Sequence, residues 1–178
     1  MEQYVKRTKR TRKYQGTVVD VYRDHMEFSN GNTEEWDYIH HKGAAAVLPV
    51  MDDGRILLVR QYRNALERFT LELPAGAVNY AGEPGMECAA RELEEETGYY
   101  SENLEWLVTV RTSVALMNEK IDIYVAKELR PSAQHLDENE VVELHTYTLE
   151  ELKNMIYNGT IEDAKTIAAI MVYLNKCQ

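Results

Sequence analysis

The sequence predicts a mixed α/β fold, one sheet of short strands with a few helices on its faces. Three observations lead there. Two apolar runs, Ala44-Ala45-Ala46-Val47-Leu48-Pro49-Val50 and Ile56-Leu57-Leu58-Val59, have the length and composition of buried strands. Apolar residues recur at helical spacing through Met86, Ala89, Ala90 and Leu93, and again through Ala164, Ile167, Ile170, Met171 and Leu174. Further strand-like segments are interleaved with these helices, the pattern of an α/β or α+β sandwich.

In chain order, Gln15 to Tyr22 reads as a strand, His25 to Ser29 as its hairpin partner, and Glu35 to His41 as a third strand. Asn30-Gly31-Asn32 is a strong turn signal among them. The runs at 44–50 and 56–63 flank Met51-Asp52-Asp53-Gly54-Arg55 and read as a hairpin. Phe69 to Leu73 is a short strand running into Pro74, and Met86 to Thr97 a helix that Gly98 ends in a left-handed cap. Leu104 to Val110 and Ile121 to Ala126 are strands, and 130–140 is a polar loop. Thr148-Leu149-Glu150-Glu151 carries a capping-box signature and opens a helix to about Tyr157, stopped by Asn158-Gly159. Asp163 to Asn175 is the last helix.

With 178 residues, 44% hydrophobic and 28% charged, the chain suits one domain with a sizeable core, alone or with a small appendage. No apolar run reaches the roughly 18 residues of a membrane span, and the N-terminus lacks the apolar core of a secretory signal. Cys88 and Cys177 have no metal-ligand spacing and are expected as free thiols, which fits a cytoplasmic location. The net charge of −10 is unevenly placed. Lys6, Arg7, Lys9, Arg10, Arg12 and Lys13 stand against Glu2, a local charge of about +5 that leaves about −15 for the rest. This basic arm reads as a solvated tail, or as a strand that contacts an acidic partner subunit. No nucleic-acid fold signature accompanies it. The acidic remainder would repel polyphosphates unless metal ions intervene.

The chemistry concentrates in Gly76-Ala77-Val78-Asn79-Tyr80-Ala81-Gly82-Glu83 and Arg91-Glu92-Leu93-Glu94-Glu95-Glu96-Thr97-Gly98. Glu92, Glu95 and Glu96 stand at i, i+3 and i+4, on one helix face. Left alone they repel by a few tenths of a kcal/mol per pair. A hard divalent cation removes that cost and prefers oxygen ligands. The plain alternative is a solvated acidic face, and the surrounding residues argue against it. A Leu-Pro-Ala-Gly segment precedes the glutamates, Gly98 ends their helix, and Arg91 can neutralise neighbouring carboxylates.

The stretch resembles the Nudix box, Gly-x5-Glu-x7-Arg-Glu-U-x-Glu-Glu-x-Gly-U, where U is apolar. From Glu83 to Tyr99 each defined position agrees, with Tyr99 only partly apolar. Six residues, not five, separate Gly76 from Glu83, and an extra residue in a surface loop is cheap. The resemblance covers about residues 43–178 and implies the Nudix α/β/α sandwich with a mixed sheet. Residues 1–42, the basic arm and its strands, resemble the small N-terminal antiparallel β region of the ADP-ribose pyrophosphatase branch, which implies a homodimer.

What the resemblance implies for the site follows residue by residue. Glu92 and Glu96 are the principal ligands of Mg²⁺, with Mn²⁺ a substitute. Glu95 completes the cluster or binds through water, and the Ala75 carbonyl is a further ligand. Arg91 is an orienting ion-pair partner, Glu83 helps fix the loop, and Glu94 points to solvent. The base lies outside the box, in Asp137-Glu138-Asn139-Glu140; Glu138 is the first choice and Glu140 the alternative. Arg63, ending Val59-Arg60-Gln61-Tyr62-Arg63, is the phosphate clamp, a task a guanidinium suits; otherwise it is a surface strand charge. Trp36 stacks on adenine or packs in a dimer core. Glu119 matches an acidic position beside the substrate, although Arg111-Thr112-Ser113-Val114-Ala115-Leu116 replaces the Ser-Pro-Gly-type segment common in the family. His25, His40, His41, His135 and His145 are structural or surface residues.

The implied activity is hydrolysis of a nucleoside diphosphate linked to another moiety, with ADP-ribose giving AMP and ribose 5-phosphate. The implied partner is that small molecule, not a nucleic acid or a membrane. A GDP- or UDP-sugar is the alternative substrate. A non-catalytic ADP-ribose-binding regulator is the alternative class, but such a module need not keep the glutamates and usually carries an added effector domain.

Overall fold

The computed structural model describes residues 4–80, 82–136, 138 and 141–176. The chain divides into two compact units, Met1–Gly43 with Arg111–Glu119, and Ala44–Val110 with Lys120–Gln178.

In the first unit, β1 (Val5–Gln15), β2 (Val19–Phe28) and β3 (Thr33–His41) form an antiparallel sheet in chain order. The basic segment is therefore a strand paired within its own chain, and the strand expected over Gln15 to Tyr22 is interrupted by the β1–β2 turn at Gly16, whose N–H donates to the Val19 carbonyl. Lysine and arginine are weak strand formers, so the local pattern hid β1. Cross-strand charge supplies what propensity lacks. Arg10 Nε and Nη2 each donate to the buried Asp24 at 2.6 Å, and the guanidinium lies 3.7 Å from the centre of the Tyr38 ring. Segment 111–119 is stitched to β3 by Asn118, which accepts from the His41 N–H and donates to the His41 carbonyl.

In the second unit, β4 (Ala44–Pro49), β5 (Ile56–Arg63), β6 (Arg68–Glu72) and β7 (Ala75–Ala77) lead into α1 (Gly85–Thr97). β8 (Tyr99–Tyr100), β9 (Asn103–Arg111), β10 (Lys120–Lys127), β11 (Arg130–Pro131), β12 (Val142–Tyr147), α2 (Leu149–Tyr157) and α3 (Ala164–Lys176) follow. One sheet has the order β7-β4-β10-β9, with β4 and β10 parallel; a second has the order β12-β5-β6; β8 and β11 pair separately. The runs at 44–50 and 56–63 are thus not a two-stranded hairpin. The chain reverses through a tight turn, with the Met51 N–H donating to the Arg55 carbonyl, but each strand becomes the interior of a different sheet. Strands buried on both faces read as continuous apolar runs, which is why their sequences look like natural partners.

β4 divides the core. Ala46 and Leu48 face a cluster with Leu58, Leu73, Ile123, Leu152, Ile161 and Ile170, drawn from both sheets, α2 and α3. Ala45 and Val47 face α1 through Cys88, Ala89 and Leu93. Layering of α1, sheet, second sheet and paired helices follows from this alternation. The expected caps are present. Gly98 ends α1 at φ 68°, and Thr148 and Glu151 close a capping box on α2.

Candidate active site

The turn from β6 into β7 passes beneath α1. Val47 N–H donates to the Pro74 carbonyl, and β4 pairs Ala44–Ala46 with Ala75–Ala77. Above this backbone, α1 presents Glu92 and Glu96, both buried, and the more exposed Glu95. Glu96 Oε2 accepts from the Ala75 N–H at 3.0 Å. A Cβ on residue 76 would overlap the Glu92 carboxylate, so glycine here leaves that carboxylate room to lie against the backbone of the turn.

Arg91 is the counter-charge of the cluster. Its Nη1 donates to Glu92 Oε1 at 2.5 Å and to Glu95 Oε2 at 2.8 Å; its Nη2 donates to the Ala77 carbonyl at 3.2 Å. Burial works to lower the arginine's pKa, but the charge of Glu92 and the hydrogen bonds to Glu95 and Glu92 outweigh it, so it stays protonated. Glu83 joins from below, accepting from the Asn79 N–H at 2.6 Å and lying 3.5 Å from Arg91 Nε. It fixes the loop, as expected. The longer loop closes through the Glu83 N–H donating to the Tyr80 carbonyl, with Gly82 at φ 89°. Cys88 packs beneath, and burial pushes its thiol up to about 11.

Ala75, Gly76, Ala77, Arg91, Glu92, Glu95 and Glu96 line a cleft of about 410 Å³ with Gln61, Arg63, Asn79 and His135. The structure thus brings together Ala75, Arg91, Glu92, Glu95, Glu96 and Arg63. Arg63 is held as a fork. Its Nε and Nη2 donate at 2.7 Å to the two oxygens of Glu72, which is buried. Trp36 and Glu119 belong to the first unit. Trp36 donates through Nε1 to Glu34 at 2.9 Å and meets Phe28 edge-on, while Glu119 accepts from Thr112 and lies 3.3 Å from His41 Nδ1. Glu138 is exposed in a turn, and Glu140 lies outside the described residues, as does Cys177.

Two corrections concern the helix's other neighbours. Glu94 is not simply solvated, since it accepts from Ser132 Oγ at 2.5 Å. The polar loop is docked on the end of α1: Ser132 N–H donates to Gly98, Gln134 Nε2 to Glu96 and His135 N–H to Glu95, each at a carbonyl. Loop groups satisfy helix-end carbonyls that would otherwise lack partners, and His135 is thereby placed at the cleft. Its position three residues before Glu138 was the available signal. Gln61 and Asn79 carried none.

Does this site suit a metal? Among the described residues, no three of His, Cys, Asp and Glu converge into a chelating group as they stand, because Glu92 and Glu95 are turned onto Arg91. The donor chemistry nevertheless fits. Three carboxylates and the Ala75 backbone give an all-oxygen set, which suits hard divalent cations and not thiophilic ones.

The NUDIX domain model matches residues 40–170. The chain belongs to the Nudix family. It is 40% identical over 159 residues to the methanol dehydrogenase activator of Bacillus methanolicus, covering 88% of this chain and 85% of that one. It is 38% identical to the ADP-ribose pyrophosphatase of Bacillus subtilis over the same shares. The crystal structure of an ADP compounds hydrolase shares the fold, with a TM-score of 0.85, 22% identity, and coverage of 98% of this chain and 94% of that one. The α/β Nudix sandwich and its N-terminal antiparallel sheet are thus as the motif implied, and Nudix enzymes generally use divalent metal ions.

Acid stability reports on the floor of this site. Burial alone would raise the Glu72 pKa, but hydrogen bonds from Arg63, the charge and hydrogen bond of Lys165, and Thr70 hold it down at about 2, against 4.5 for the free group. Because the folded value is depressed, the stabilisation is complete above the unfolded value and is lost as pH falls from 4.5 towards 2. It amounts to about 3 kcal/mol. Denaturant melts between about pH 5 and pH 2 should show Glu72→Gln losing less stability with acid than the parent chain. Parallel losses would rule this carboxylate out as a source of the acid sensitivity.

Proposed function

We propose that this Nudix hydrolase cleaves the diphosphate of ADP-ribose, with Mg²⁺ as cofactor, yielding AMP and ribose 5-phosphate. The observation that carries the reading is the single cleft in which Glu92, Glu95, Glu96 and the Ala75 backbone share a wall with Arg63. The names of the pyrophosphatase and ADP-compound relatives support the substrate.

A cation bound there would offset phosphate charge, polarise the phosphoryl oxygens and acidify a water molecule. Glu92 and Glu96 would hold it, with Glu95 and the Ala75 carbonyl completing the set. To do so Glu92 and Glu95 would turn from Arg91, whose ties to Glu83 and the Ala77 carbonyl suit it to remain the orienting group. Arg63 receives a phosphate through the N–H groups that Glu72 leaves uncommitted. Glu138 removes the proton from the attacking water, and Glu140 is the alternative. Trp36 supplies a stacking surface for adenine, and Glu119 a sugar-side acceptor. The nucleotide-sugar substrates and the non-catalytic regulator are less favoured, the latter because the box carboxylates are all retained.

We also propose that residues 1–42 form the dimerising region and 43–178 the hydrolase domain, and that the protein acts in the cytoplasm. No helix among the described residues is long and apolar enough to cross a membrane. β1 is an edge strand whose free side can pair with a second copy.

Three outcomes follow. Phosphate-release assays on ADP-ribose, GDP-mannose, UDP-glucose, NADH and diadenosine polyphosphates should rank ADP-ribose first, with Glu96→Gln lowering kcat by about 100-fold or more; full activity in that variant would refute the metal assignment. Glu138→Gln should cost about 10²- to 10⁴-fold in kcat, and a large loss only in Glu140→Gln would move the base. Light scattering should give the mass of a dimer, and a monomer would count against the role of β1.

A further inference from the structure

Behind Arg63 lies an ion cluster whose other members, Glu72, Lys165 and Asp163, have no role assigned in the chemistry above. Glu72, 3% exposed, ends β6, and Lys165, 7% exposed, stands in the first turn of α3. Lys165 Nζ donates to Glu72 Oε2 and, at 3.0 Å, to Asp163 Oδ2. The same Asp163 oxygen accepts from Thr166 N–H at 3.0 Å and Thr166 Oγ1 at 2.6 Å. Thr166 Oγ1 accepts from the Leu73 N–H at 2.9 Å. The first turn of α3 thus grips Glu72 and Leu73, the two residues before Pro74-Ala75-Gly76.

Glu72 has one more ligand set. Besides Lys165 it accepts from Thr70 Oγ1 at 2.6 Å and from both Nε and Nη2 of Arg63. Arg63, Glu72, Lys165 and Asp163 sum to no net charge, which makes the burial of Glu72 and Lys165 among them tolerable. Neutrality alone does not explain them, because apolar residues of similar size would often serve stability as well. The cluster does something an apolar core cannot. A two-point grip fixes the plane of the Arg63 guanidinium, using two of its five N–H groups and leaving three. Long side chains lose much rotamer freedom when they meet a ligand, and prior ordering removes that cost.

We propose that Glu72 and Lys165 are positioning residues, holding Arg63 in the cleft with its remaining N–H groups set to meet a phosphate of the substrate. Lys165 acts one step back, fixing the carboxylate that fixes the arginine. The proposal rests on the reading of Arg63 as the phosphate clamp, and its test separates the two.

The test is a double-mutant cycle read as KM and kcat on ADP-ribose, with Arg63→Ala, Glu72→Gln, Lys165→Met and the pairs with Arg63→Ala, each checked for folding by thermal melting. Arg63→Ala should raise KM by about 10- to 100-fold. Glu72→Gln should raise it by about tenfold, Lys165→Met in the same direction, and Lys165→Arg should restore most of the loss. In the Arg63→Ala background, Glu72→Gln should add less than about twofold. Multiplying effects in the double variant, or an unchanged KM in Glu72→Gln beside a raised one in Arg63→Ala, overturns the positioning role. An unchanged KM in Arg63→Ala overturns the clamp and the positioning role with it. Should Glu72→Gln not fold, Glu72→Asp, which keeps the charge and shortens the arm by one methylene, is read in the same cycle.

Discussion

The closeness of α1 to the backbone beneath it governs the second unit. Three carboxylates on a helix become a site only if something complementary lies under them. Here that is the turn at Pro74-Ala75-Gly76, with an N–H aimed at Glu96 and no side chain between Gly76 and Glu92. The approach needs small residues on the sheet as well. Ala45 on β4 and Ala89 on α1 are both fully buried where helix and sheet meet. Larger side chains there would lift the helix and part the glutamates from the turn.

Charge is handled differently on α1 and in the cluster behind Arg63. On the α1 side, one arginine serves several carboxylates, leaving the cluster negative and suited to cations. On the α3 side, one buried carboxylate serves two cations. A diphosphate needs both, metal-binding carboxylates at the reacting phosphorus and fixed cations for the remaining oxygens.

The sequence revealed most where local pattern and chemistry coincide. Glu92, Glu95 and Glu96 could be placed on one face from spacing alone, and Gly98 and Thr148 marked helix ends because caps are local devices. Sheet membership was not legible in the same way. β4 and β5 look like hairpin partners because both are buried and joined by a tight turn, yet pairing is decided by β10 and β12, far along the chain. β12 itself, Val142–Tyr147, escaped notice next to a polar loop. β1 was hidden because its stability comes from charge pairs with β2. The Glu72–Lys165 pair is a contact across 93 residues, and only a lysine inside an otherwise apolar helical stretch hinted at it.

The docking of 132–135 on the end of α1 sets a tether. His135 lines the cleft and is bonded through its backbone to Glu95. Glu138 follows three residues later, so its Cα can lie no more than about 10 Å from that anchor. The helix that carries the proposed metal-binding carboxylates therefore also limits how far the proposed base lies from them. The helix and the proposed base thus share one frame of reference, fixed through the His135 N–H on the Glu95 carbonyl.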